Sequence, residues 1–199
     1  SKGLPWGDLV PRRSIACLYI DLENPEFLQY KKFAPYANPN FWVASRSWAM
    51  SGALNLPTIT ETMAKSGFKP DVIVIDPLAY AFDLIDENKS VNIIRILKRC
   101  VRFVRETKIA LEIAHHTRKT QPGLIDDPRD SARGSSALPG IVDVQMNLTF
   151  SKQPYRDRLL TTTMSRFGSG KEFEPQFDIS YDNNTGLIAA RKRLRNTEG

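Results

Sequence analysis

The run Val72-Ile73-Val74-Ile75-Asp76-Pro77 constrains this chain more than any other stretch. Four consecutive β-branched apolar residues favour extended backbone. Their unbroken apolarity predicts a strand buried on both faces, as in a parallel sheet. Pro77 cannot donate to a sheet ladder, so the strand ends at the acid. A carboxylate at the carboxyl end of such a strand lies where open α/β sheets take their ligands. An apolar run ending in Asp is equally an ordinary strand followed by a turn, and the stretch alone leaves both readings standing.

The neighbouring segments predict the rest of the sheet. From Ser90, Val91, Ile94, Leu97, Val101 and Val104 recur at spacings of three and four, with Arg95, Lys98, Arg102 and Arg105 between them. That is an amphipathic helix. Ile109 to Ala114 reads as the next strand, so strand, helix and strand form a βαβ unit. Upstream, Ile15 to Ile20 is a strand ending at Asp21-Leu22-Glu23. Asn24 and Pro25 then supply a capping side chain and a first-turn proline for a helix reaching about Phe33. Phe41 to Ala44 reads as a strand, and Pro57 to Ser66 as a helix closed by Gly67. Leu78 to Glu87 and Thr120 to Gly134 read as loops, and Ser135 to Leu138 as a short helical turn.

Downstream, Ile141 to Phe150 alternates as a half-exposed strand. Arg158 to Met164 and Phe173 to Tyr181 flank the turn Phe167 to Lys171, and Asp182 to Gly186 is a second turn signal, which together predict antiparallel hairpins. The expected fold is α/β: a three-layer arrangement with a mostly parallel twisted sheet, helices on both faces and an antiparallel carboxyl-terminal extension. One domain is expected over residues 1–190, with a basic tail over 191–199.

A length of 199 residues suits one domain. No apolar run approaches the roughly 20 residues that span a bilayer, and no signal-peptide pattern is present, so no membrane partner and a cytoplasmic location are expected. Cys17 and Cys100 are isolated and read as buried thiols. A net charge of +6, from 28 basic and 22 acidic residues, is compatible with a polyanionic partner without demanding one.

Four polar groups fall just past predicted strand ends: Asp21 with Glu23, Asp76, His115 with His116, and Arg166. If the strands share one sheet, the first three gather along its carboxyl edge. An acid for magnesium (the Walker B pattern), a second carboxylate to activate water and a polar sensor of a terminal phosphate make up the hydrolytic half of a nucleotide site. Asp21 and Glu23 read also as caps of the next helix. The adjacent histidines read also as a surface pair, or as ligands of a metal-dependent hydrolase with Asp76, although no Cys or acid stands at ligand spacing.

The segments Leu18-Tyr19-Ile20-Asp21-Leu22-Glu23, Val72-Ile73-Val74-Ile75-Asp76, His115-His116-Thr117-Arg118-Lys119 and Ala132-Arg133-Gly134-Ser135-Ser136-Ala137, in this order and spacing, carry a resemblance. From about Leu4 to about Gly186 the chain resembles the RecA-like ATPases of the RepA and DnaB hexameric helicase group, most closely the RepA-like branch. The resemblance implies ATP and Mg²⁺ as cofactors, DNA (single-stranded) as partner and a homo-oligomeric, hexameric ring. Carried over by position, it implies that Glu23 polarises the attacking water and Asp76 holds Mg²⁺ through water. His116, or His115, takes the sensor position, with Asp21, His115 and Lys171 near the nucleotide. Arg118 and Lys119 would face phosphate or nucleic acid, and Arg133 the channel or the next subunit. Arg166 and Lys171 resemble basic residues inserted into a neighbour's site as an arginine finger; each reads also as a solvated hairpin charge.

One departure stands out. A P-loop, G-x-x-x-x-G-K-[ST], has backbone N–H groups and a lysine that cradle phosphates, and residues 1–199 contain none. Gly168-Ser169-Gly170-Lys171 is followed by Glu172, has Ser165 in place of the first glycine, and lies between two strands instead of a strand and a helix. The expectation is that the phosphate cradle lies before Ser1 and that this chain alone hydrolyses ATP negligibly. The alternative, from another class, is a RecA-fold scaffold or nucleic-acid-binding module without hydrolysis.

Overall fold

The computed structural model describes residues 13–50, 53–82, 90–116, 140–150, 158–166, 176–181 and 188–192. Its centre is a four-stranded parallel sheet in the order β2 (Phe41–Ser45), β1 (Cys17–Asp21), β3 (Val72–Asp76), β4 (Ala110–Ile113). The strongest strand signal in the sequence is thus an interior strand. In-register pairing aligns Leu18 with Ile73 and Ile20 with Ile75, so one face of the sheet is a continuous apolar surface. Those four side chains are at most 1% exposed.

That face is covered by α3 (Leu56–Lys65) and α5 (Ser90–Thr107), whose Ile59, Met63, Ile96, Cys100 and Phe103 join the same core. Trp42 stacks on Phe68 at its margin, 4.8 Å between ring centroids. Helix α3 begins where the Asn55 side chain accepts from Thr58 N at 3.3 Å, and it ends at Gly67, whose φ of +77° only glycine adopts freely. The opposite face carries Tyr19, Val74 and Asp76 and is only half buried. Among the described residues its helical cover is α1 (Glu26–Phe33), through Phe33 packed on Tyr19 and Phe41.

Local differences from the sequence-based expectations have identifiable causes. Helix α1 starts at Glu26 with Pro25 as its cap residue, one position later than expected, because the Asn24 side chain bonds to Asp21 instead of capping. Part of the expected loop after Pro77 is a one-turn helix, α4 (Leu78–Ala81), held by burial of Leu78 and Ala81. A four-residue turn is too short to leave a periodic signal. The short helix α2 (Arg46–Ala49) follows β2 directly.

The later strands form a sheet of their own: β5 (Val144–Phe150), β6 (Arg158–Ser165), β7 (Gln176–Tyr181) and β8 (Ile188–Lys192), antiparallel in that order. Arg191 and Lys192, expected in the tail, are strand residues paired with β7. On β5 the apolar set Val144, Met146 and Leu148 is exposed, while Gln145 and Asn147 are half buried. Alternation identifies two faces without saying which one is covered. The loop over 120–134, the turn over 135–138 and the turns at 167–171 and 182–186 lie outside the described residues.

Candidate active site

Parallel pairing in register sets Asp21 directly beside Asp76 at the carboxyl ends of β1 and β3. The two carboxylates have different surroundings. Asp21 is fully buried, and its oxygens accept from Glu23 N at 3.2 Å, Asn24 N at 2.9 Å and Asn24 Nδ2 at 3.2 and 3.0 Å. Gln29 closes the same turn from below, its Nε2 donating to the carbonyls of Asp21 and Asn24 at 3.2 and 2.7 Å. Leu22 N donates to the Asp76 carbonyl at 2.8 Å, so the turn also hangs on β3. Asp21 therefore spends its acceptor capacity on fixing the turn from which Glu23 projects, exposed, past the strand end.

Asp76 is half buried, and its Oδ2 accepts the phenolic O–H of Tyr19. Tyr19 lies two residues before Asp21 on the same side of the sheet, in register with Val74. Burial, then the bond to Asp76 and the nearby negative charges, push the Tyr19 phenol well above its ordinary range, so it stays a donor. The other oxygen of Asp76 has no bond among those described. The Asp76–Pro77 peptide is cis.

The edge continues on both sides. Ala114 N donates to the Ile75 carbonyl and Leu78 N to the Ala114 carbonyl, each at 2.9 Å, which carries β4's exit alongside Asp76. His115 is half buried and His116 exposed at that exit. On the far side, Ser45 aligns with Asp21, and Arg46 follows. A cleft of about 720 Å³ opens there, with Glu23, Asn24 and Glu26 on one wall and Ser45, Arg46 and Ser47 on the other. Glu26 accepts from the hydroxyls of Ser47 and Ser45 at 2.5 and 2.8 Å, which holds its carboxyl below the usual range. The Arg46 guanidinium lies 5.5 Å from the Tyr80 ring centroid.

Asp21, Glu23, Asp76, His115 and His116 thus share one sheet edge. Arg166 does not lie on it. Its backbone N donates to the Asp143 carbonyl at 2.8 Å, its guanidinium donates to the Gly140 carbonyl, and it borders a different cleft beside α5. Arg118, Lys119, Arg133 and Lys171 lie outside the described residues. Tyr19 and Arg46 were not singled out from sequence. A signal existed for Arg46, because it stands just past a strand end, but β2 runs one residue beyond its apolar part.

Among the described residues no group of three or more His, Cys, Asp or Glu side chains could hold a metal by itself. Magnesium on a nucleotide needs only one or two carboxylates beside phosphate oxygens and water. A half-buried Asp76 steadied by Tyr19 fits that need. The thiols offer no competing chemistry: burial pushes Cys100 up to about 11 and raises Cys17 as well. No helix among the described residues is long and apolar enough to cross a membrane.

Comparison with known proteins places this edge in a family. No curated protein matches the chain. A family model described as AAA domain matches residues 1–122, a span that takes in all four parallel strands and every polar group of the edge and stops short of the antiparallel sheet. The chain belongs to the AAA domain family of P-loop-type ATPases.

Proposed function

We propose that the chain is the core of a RepA-like, replicative-helicase-type ATPase that couples Mg-ATP hydrolysis to remodelling or translocating along DNA as a ring. The observation that carries this reading is the in-register pair Asp21 and Asp76, with Glu23 projecting from the turn that Asp21 fixes. Magnesium, when bound, would neutralise charge developing on the phosphates. Asp76 would hold that ion through water, oriented by Tyr19. Glu23 would accept a proton from the attacking water, and His116 or His115 would contact the terminal phosphate. Residues 1–199 carry no G-x-x-x-x-G-K-[ST], so no residue here is assigned to a phosphate cradle.

The test is ATP turnover by the full-length protein with and without single-stranded DNA, for wild type and Asp76→Asn. DNA-stimulated turnover that falls at least about 100-fold in Asp76→Asn and is not restored by excess magnesium is expected. Equal turnover in both proteins would contradict the assignment. DNA binding with no turnover in wild type would favour the non-hydrolysing module.

A further inference from the structure

A second cleft, of about 530 Å³, lies along the half of α5 that leads into β4. Lys98, Arg102 and Arg105 line one side, and Gly140, Ile141 and Arg166 the other; among the described residues Glu106 is its one acid. Lys98, Arg102 and Arg105 are exposed, and none makes an ion pair or hydrogen bond among the described residues. Arg95 and Arg99 extend the same charge along the helix. Arg166 is held at the rim by its bond to the Gly140 carbonyl, which uses one of its five N–H groups.

Resting on the reading of a DNA partner given above, we propose that this cleft binds the sugar-phosphate backbone of single-stranded nucleic acid. Among the described lining residues four cations face one carboxylate, an excess of like charge that an entering anion relieves. Three of the four are arginines, whose planar forks match phosphate oxygens. Lys98 to Arg105 spans roughly 10 Å of helix at 1.5 Å per residue, enough for two or three successive phosphates of one strand. The concave shape favours a strand that enters it over a flat bilayer, whose headgroups cannot reach the floor. Its lining shares no residue with the sheet edge.

The experiment measures anisotropy of a labelled single-stranded oligothymidylate titrated with the full-length protein across a salt series. The variants are the triple Lys98→Gln/Arg102→Gln/Arg105→Gln, the single Arg102→Gln, and a control triple, Lys31→Gln/Lys65→Gln/Lys69→Gln, which removes equal charge elsewhere. The cleft triple is expected to bind roughly 100-fold more weakly at about 0.1 M salt, with a salt slope smaller by about 2, or about 0.7 per lost contact. The single variant should show about one third of that slope change, and the control should stay within about threefold of wild type.

Equal losses in the two triples, or none in the cleft triple and the single variant, would overturn the cleft and leave the DNA partner standing. No binding by wild type would overturn both. Binding to phosphatidylserine vesicles that the cleft triple loses, with oligonucleotide affinity intact, would assign the cleft to a lipid headgroup and overturn the proposal.

Discussion

Tyr19 and Asp76 form the contact on which the proposed metal site turns, because the phenol fixes a carboxylate that would otherwise rotate freely at a strand end. Tyr19→Phe keeps the ring's packing on Phe33 and deletes only the donor. It should cost about 1 kcal/mol in urea denaturation and raise the magnesium needed for half-maximal turnover severalfold; an unchanged magnesium curve would deny Tyr19 a positioning role. Asp21→Asn should cost more, about 2–3 kcal/mol, since its amide oxygen can still accept from the N–H groups of Glu23 and Asn24 but its NH2 then faces the Asn24 Nδ2 donor inside a fully buried turn. Asp71 makes a pH prediction. The Arg13 guanidinium at 2.9 Å and the Ala16 N–H at 2.7 Å hold its carboxyl below the ordinary range. A lowered folded-state value means that the stabilisation is present above the ordinary carboxylate value, near 4, and is lost as pH falls through the lowered one. Asp71→Asn should therefore flatten the acid limb of stability below about pH 4 and leave the alkaline side unchanged in shape. The polar groups of the edge were legible in sequence because each terminates an apolar run. Their partners were not, since the Tyr19–Asp76 bond spans 57 residues and exists only through the register of β1 with β3.

At the level of elements, α5 exits through Lys108, a non-glycine residue at φ +61° whose N–H still bonds to Val104. A side chain there carries the left-handed penalty that glycine avoids. Lys108→Gly should raise stability by about 0.5 kcal/mol, and a lower thermal midpoint would contradict that. The interior of the sheet is less forgiving. Ile75→Ala, at a position with no exposure, should lose about 2–4 kcal/mol to the cavity it leaves. Helix α5 could be read from its spacing of three and four, β1 and β3 from their unbroken apolar runs, and α3 from Pro57 and Gly67 at its ends. The start of α1 was misplaced because a local side-chain bond from Asn24 to Asp21 competed with the cap. The covered side of β5 could not be read, because alternation is symmetric between its two faces until a neighbour breaks the tie.

On the scale of the whole molecule, two proposed functional surfaces share one chain: a carboxylate edge at the ends of the parallel strands and a basic cleft beside α5. The sequence suggested a mostly parallel sheet with an antiparallel extension, and the described residues form two separate four-stranded sheets. Short hairpin signals specify neighbours along the chain but carry no information about joining a distant sheet edge. In the proposed mechanism Glu23 activates water for ATP hydrolysis, and the decisive measurement is ATP turnover beside ATP affinity in Glu23→Gln of the full-length protein. Turnover should fall by at least about 100-fold while ATP affinity stays within a few-fold of wild type. Undiminished turnover with Gln at position 23 would contradict it.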